Sequence, residues 1–130
     1  MGMIVSHTDK KTTSWAILQI DSGEHCHISV TRTGVRIKKS KLGLFGKVLF
    51  DADPAMSNKV GFILSKLYPE EKTLFKPEMY QDHFVLSTFG NALLHLKSVA
   101  DVKECLDGVK QCVRNGVLPE SVEKVLEKTH

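Results

Sequence analysis

Apolar and polar residues alternate along the first third of the chain, and that period of two marks strands. Trp15-Ala-Ile-Leu-Gln-Ile20 is the first such run, and the turn residues Asp21-Ser22-Gly23 end it. In His25–Thr31, Cys26, Ile28 and Val30 share one face, and His25, His27, Ser29 and Thr31 share the other. Val35 and Ile37 then alternate with Arg36 and Lys38. A turn at Thr33-Gly34 sets Val30 opposite Ile37 and Thr31 opposite Arg36, so apolar meets apolar across a hairpin. Residues 40–50 are apolar but broken by Gly43 and Gly46, and they read as a loop entering a short strand at Lys47–Phe50.

The period changes after Asp53-Pro54. A capping aspartate followed by proline opens a helix, because proline in the first turn lacks only an N–H that would go unpaired anyway. Met56, Val60, Ile63, Leu64 and Leu67 recur at helical spacing up to Pro69. Residues 70–82 are charged and aperiodic. Gly90-Asn91 between Phe84–Phe89 and Ala92–Lys97 has the chemistry of a two-residue hairpin turn, and predicts a second pair of strands. Ser98-Val-Ala-Asp101 then caps a helix whose stripe runs Val99, Val102, Leu106, Val109, Val113, with Cys105 and Cys112 at its edge. Asn115-Gly116 and Pro119 stop that helix. A last one near Glu120–Glu127 presents Val122, Val125 and Leu126.

The expected fold is α+β, a single domain with a mostly antiparallel sheet of five to six strands packed against helices, in the order β-β-β-(β)-α-β-β-α-α. Residues 1–13 read as a flexible N-terminal segment and 14–130 as the domain. With 130 residues, 42% of them hydrophobic, a chain of this length buries a core without disulfide or metal staples. No apolar run approaches the roughly 18 residues of a membrane-spanning helix. Three cysteines cannot all pair with one another, and none forms a CxxC motif, which points to reduced thiols and a cytoplasmic setting. No secretory signal is visible at the start. Met1-Gly2 with Ser6 fits the short N-myristoylation pattern, and fits equally two residues added ahead of a start at Met3.

Charge changes the picture more than composition does. The net +3 divides into eight Lys/Arg against three Asp/Glu in residues 1–50, and ten against twelve in residues 51–130. The basic half coincides with one predicted sheet face. Trp15, His25, His27, Arg32, Arg36, Lys38 and Lys39 form the candidate binding set there. Trp15 and Ile17 join the face if the first turn is the three-residue type with Gly23 in the left-handed position. An aromatic among cations on a sheet is how several single-strand RNA binders stack bases and hold phosphates. A polar face in contact with water has the same appearance and needs no ligand.

Other constellations carry less chemistry. His25 and His27 point the same way from one strand, but two ligands are too few for zinc, and a third from His83, His95 or a carboxylate cannot be placed. Cys26, Cys105 and Cys112 lie on or beside core-facing stripes, where a thiol is a small inert hydrophobe. Gly43-Leu-Phe-Gly46-Lys47 lacks the spacing of a phosphate-binding loop. Leu42, Leu44 and Phe45, between glycines and lysines, are a candidate partner-contact loop, or else tuck under the sheet. No catalytic residue, metal ligand or cofactor motif stands out. The leading expectation is a small non-enzymatic interaction or regulatory module acting through protein contacts, with self-association as a homodimer. RNA or other nucleic-acid binding through the basic sheet face is the alternative, and a small hydrolase-type enzyme using His25/His27 is the third.

Overall fold

In the computed structural model, which describes residues 2–9, 13–40, 46–69 and 84–120, the alternating segments pair in chain order. The strands are β1 (Met3–Asp9), β2 (Thr13–Gln19), β3 (His25–Thr31), β4 (Gly34–Lys39) and β5 (Lys47–Ala52). They form one meandering sheet in the order β1-β2-β3-β4-β5, with every neighbour antiparallel. Three helices follow: α1 (Pro54–Leu67), α2 (Phe84–Leu94) and α3 (Val99–Asn115). α2 packs on β2 and β3, α1 on β4 and β5, and α3 on β5, while α1 touches both other helices. The molecule is therefore a single small α+β domain of one antiparallel sheet and one layer of helices, the expected class.

Side-chain alternation explains why the core lies on one side. Ala16, Leu18, Ile20, Cys26, Ile28, Val35, Ile37, Phe50 and Ala52 point to the helices and are buried. From the helix layer, Val60, Ile63, Leu64, Leu86, Phe89, Leu93, Val102 and Leu106 meet them. Phe50 and Phe89 join the layers, with ring centroids 5.4 Å apart.

Local chemistry sets the boundaries. Asp53 caps α1 by accepting from the Met56 N–H at 2.8 Å, and Pro54 follows. Ser98 caps α3 through the Asp101 N–H at 3.2 Å. Gly116 ends α3 at φ 69°, with the Gly116 N–H to Val113 O and the Val117 N–H to Cys112 O closing the last turn. The β2–β3 turn is Asp21-Ser22-Gly23, with Gly23 at φ 89° and Ile20 N–H donating to Glu24 O at 3.0 Å.

Three expectations change. Residues 3–9 lie in the segment read as flexible, and they are paired as β1, an edge strand with a bulge between Ile4 and Ser6. Residues 84–94, read as half of a second hairpin, are α2. Every residue from Leu86 to Leu94 is buried, so this helix shows no polar face, and a wholly buried segment has no period by which to tell helix from strand. The β3–β4 register is also two residues from the expected one. Val30 faces Val35 and Ile28 faces Ile37, with Arg32-Thr33 as the turn. A shift of two keeps every side chain on its face, so alternation alone does not select between the two registers. Gly34 decides it, at φ 122° and against β5, where a Cβ would collide with the Ala52 carbonyl. Of the helix expected at 120–127 only Glu120 is described, and the charged stretch 70–82 lies outside the described residues.

Candidate functional site

Opposite the core, the sheet presents a second face that no described helix covers. Cross-strand pairing builds it in rows. Ile17 neighbours His27, which neighbours Lys38, which pairs with Val48. In the next row Trp15 faces Ser29, Ser29 faces Arg36, and Arg36 faces Asp51. Gln19 and His25 form a third row. The three-residue turn with left-handed Gly23 thus places Trp15 and Ile17 beside the two histidines.

The rows have direct contacts. Trp15 stacks on His27, with centroids 5.8 Å apart and planes 23° from parallel. Both rings are half-buried. Burial, then the neighbouring Lys38 charge, holds the His27 pKa below the ordinary imidazole value, so the ring that Trp15 covers is disposed to be neutral. Arg36 Nη2 meets Asp51 Oδ2 at 3.0 Å, with both side chains 53% exposed. A small hollow of about 170 Å³ beside this pair is lined by Ser29, Thr31, Gly34 and Val35 as well.

The candidate binding set does not stay together. Trp15, His25, His27, Arg36 and Lys38 share the open face. Arg32 stands in the exposed β3–β4 turn at its rim. Lys39 departs: it lies in a cleft lined by Ser98, Val99 and Lys103, where its Nζ is 3.3 Å from Glu24. Glu24 in turn accepts from the Ser22 hydroxyl and the Val99 N–H, and these contacts with Lys39 hold its carboxyl below the usual range. Leu42, Leu44 and Phe45 lie outside the described residues.

Sequence reasoning did not anticipate Asp51 as the partner of Arg36. The register needed to see that pairing runs through the Gly34 close approach. It also missed a groove of about 450 Å³ between α1 and α3, lined by Phe62, Ile63, Val113, Val117 and Leu118. Phe62 and Val117 are half exposed there, and Phe62 lies off the helical stripe by one position.

Cys26 lies on the core face of β3, and Cys105 and Cys112 lie on α3. Cys26 is fully buried on the face opposite His25 and His27, and burial pushes its thiol up to about 12. Cys105 is partly buried, with the Tyr68 hydroxyl 3.9 Å from its sulfur, and burial raises its pKa too. His95 follows α2 in the helix layer and stacks on Tyr68, across the sheet from the His25/His27 pair. Among the described residues no three His, Cys, Asp or Glu side chains gather where they could hold a metal ion. No helix among them is long and apolar enough to cross a membrane.

The arrangement is a broad, shallow surface with an aromatic pair at its centre and an ion pair at its rim. Such a surface suits contact over area better than enclosure of a small molecule. Compared with known proteins, the chain matches no family model, no curated protein and no solved structure.

Proposed function

We propose that the chain is a non-enzymatic interaction module that binds another protein through the open face of its sheet. One observation carries this reading. Trp15, stacked on His27 beside Ile17, sits in the middle of a face that no described helix covers. A large aromatic at the centre of a patch, with arginine at its rim, has the composition of protein-contact hot spots. The reading includes a cytoplasmic setting, where the three cysteines stay as free thiols.

The test is affinity capture on nuclease-treated cell extract, with the retained proteins identified by mass. Wild-type chain is compared with Trp15→Ala and with Ile17→Asp, both on the open face. The expected result is a defined protein retained by wild type and lost with both variants, whose circular dichroism is unchanged. Identical retention by all three chains overturns the assignment of the face.

Nucleic-acid binding is the second reading, favoured by the position of Trp15 in the row of Arg36 and next to the row of Lys38. It is weakened by the acids that accompany the cations. Asp51 engages Arg36, and Lys39 is held by Glu24 off the open face.

A further inference from the structure

The helix layer has an apolar surface of its own. The groove of about 450 Å³ between α1 and α3 holds Phe62, Ile63, Val113, Val117 and Leu118 in its described lining, with one cation, Lys59, and no acid. α1 turns Val60, Ile63 and Leu64 into the core, which leaves Phe62 outward: it is 49% exposed, and Val117 just past α3 is 54% exposed. Large apolar side chains grouped at a groove mark a surface that another element covers. Lys66 Nζ lies over the Phe62 ring, 5.4 Å from its centroid. Lys59 and Lys66 thus stand one turn before and one turn after that ring along α1.

The chain itself leads an occupant to this place. Gly116 ends α3 in the left-handed conformation, and the Val117 N–H donates to Cys112 O at 3.0 Å, so Val117 and Leu118 turn back onto the groove. Pro119 follows, and Glu120, the last described residue, again has helical backbone. A connection this short sets a following helix antiparallel beside the one before it. Residues 121–130 carry the matching pattern. Val122, Val125 and Leu126 fall on one helical stripe, bordered by Glu123 and Glu127 on the Leu126 side and by Lys124 and Lys128 on the Val125 side. Laid with Leu126 toward α1, the stripe meets the apolar lining and the two acids approach Lys59 and Lys66. Ten helical residues extend about 15 Å, which fits within the 14 residues of α1.

From the exit point, the stripe and the charges we infer that residues 121–130 dock as a helix in the groove between α1 and α3, which makes the groove a peptide site filled in cis. This is the helix-in-groove mode of recognition, with apolar anchors three and four residues apart. A tethered segment meets its groove at an effective concentration of millimolar order, so a free helix of the same pattern has to displace it. Trp15 and His27 lie across the sheet from this groove, so the sheet-face reading stands or falls separately.

Isotope-edited NMR on the full wild-type chain tests this without any variant. Nuclear Overhauser contacts are expected between the Phe62 ring and the methyls of Val122, Val125 or Leu126 in uniformly labelled protein. None is expected in a mixture of labelled and unlabelled chains filtered for contacts between molecules. A fluorescent peptide of residues 119–130 gives the second readout. The full chain with Val122→Asp/Leu126→Asp, whose own segment no longer fits, should bind the peptide at least about tenfold more tightly than wild type does. Adding Phe62→Asp to that variant should abolish the binding. Absence of the Phe62 contacts in wild type overturns docking in the groove, and so does equal saturable binding of the peptide by wild type and the double variant. Contacts found only between molecules overturn the cis arrangement and assign the groove to the same segment of a second copy. Failure of the Trp15 capture experiment changes none of these results.

Discussion

Gly34 shows how much a single position decides. Its φ of 122° lies in a region open to glycine, and any Cβ there meets the Ala52 carbonyl. Gly34→Ala is expected to destabilise the fold by roughly 2–4 kcal/mol, because backbone strain and a steric clash act together. Urea unfolding measures it, and a loss under 0.5 kcal/mol, the ordinary scale of a surface substitution, would contradict the close approach. His27 gives a second prediction at this scale. Its pKa is lowered in the fold by burial first and Lys38 second, so the unfolded chain binds protons more readily than the native one. Stability is then fully present above the unfolded imidazole value of about 6.5, and declines as pH falls from there through the depressed native pKa. Comparing urea midpoints at pH 7 and pH 5 should show that decline in wild type and a smaller one in His27→Gln. Equal slopes would mean that the Trp15 stack does not desolvate the ring.

At the scale of elements, legibility followed exposure. β2, β3, α1 and α3 each have one buried and one wet side, so their periods could be read, and Asp53, Ser98 and Gly116 marked ends that the structure keeps. β1 begins with three apolar residues in a row, which leaves no alternation to detect there. α2 failed for the opposite reason. It is buried from Leu86 to Leu94, holds aromatic and β-branched residues, and contains Gly90-Asn91 in the order a hairpin turn prefers. In the fold Asn91 is 1% exposed, and its Nδ2 donates to Tyr68 O at 2.8 Å and to Pro69 O at 3.3 Å. What resembled a turn is a side-chain clamp on the carbonyls that follow α1. Of the candidate site, the face could be read but its electrostatics could not, because the Arg36–Asp51 pair depends on a β4–β5 register that no alternation fixes. Asn91→Ala should therefore cost roughly 1–3 kcal/mol, since two backbone acceptors lose a buried donor. If Asn91→Ala unfolds at the wild-type midpoint, the clamp contributes nothing.

For the whole molecule, the uneven charge has a different meaning once the ion pairs are placed. A net +5 over residues 1–50 suggests a phosphate-binding face, yet Asp51 from the acidic half is brought back against Arg36 by β5. Exposed pairs of this kind contribute at most about 1 kcal/mol to stability, so the fold does not depend on Asp51. Its larger effect is on the field of the face, where one carboxylate offsets one guanidinium. Titrating Trp15 fluorescence with a short single-stranded oligonucleotide measures that field directly. Wild type is expected to show no saturable quenching at 150 mM salt, the condition where a few phosphate contacts are well screened. Asp51→Asn keeps the shape and removes the opposing charge, so any low-salt binding should tighten, and the slope of log K against log salt should steepen by about one phosphate contact. Saturable quenching by wild type at 150 mM salt, with no gain from Asp51→Asn, would reverse the order of the two readings. Nucleic acid would then be the partner, and Arg36–Asp51 a positioning pair for it, since an offsetting charge that weakens binding must release affinity when it is removed.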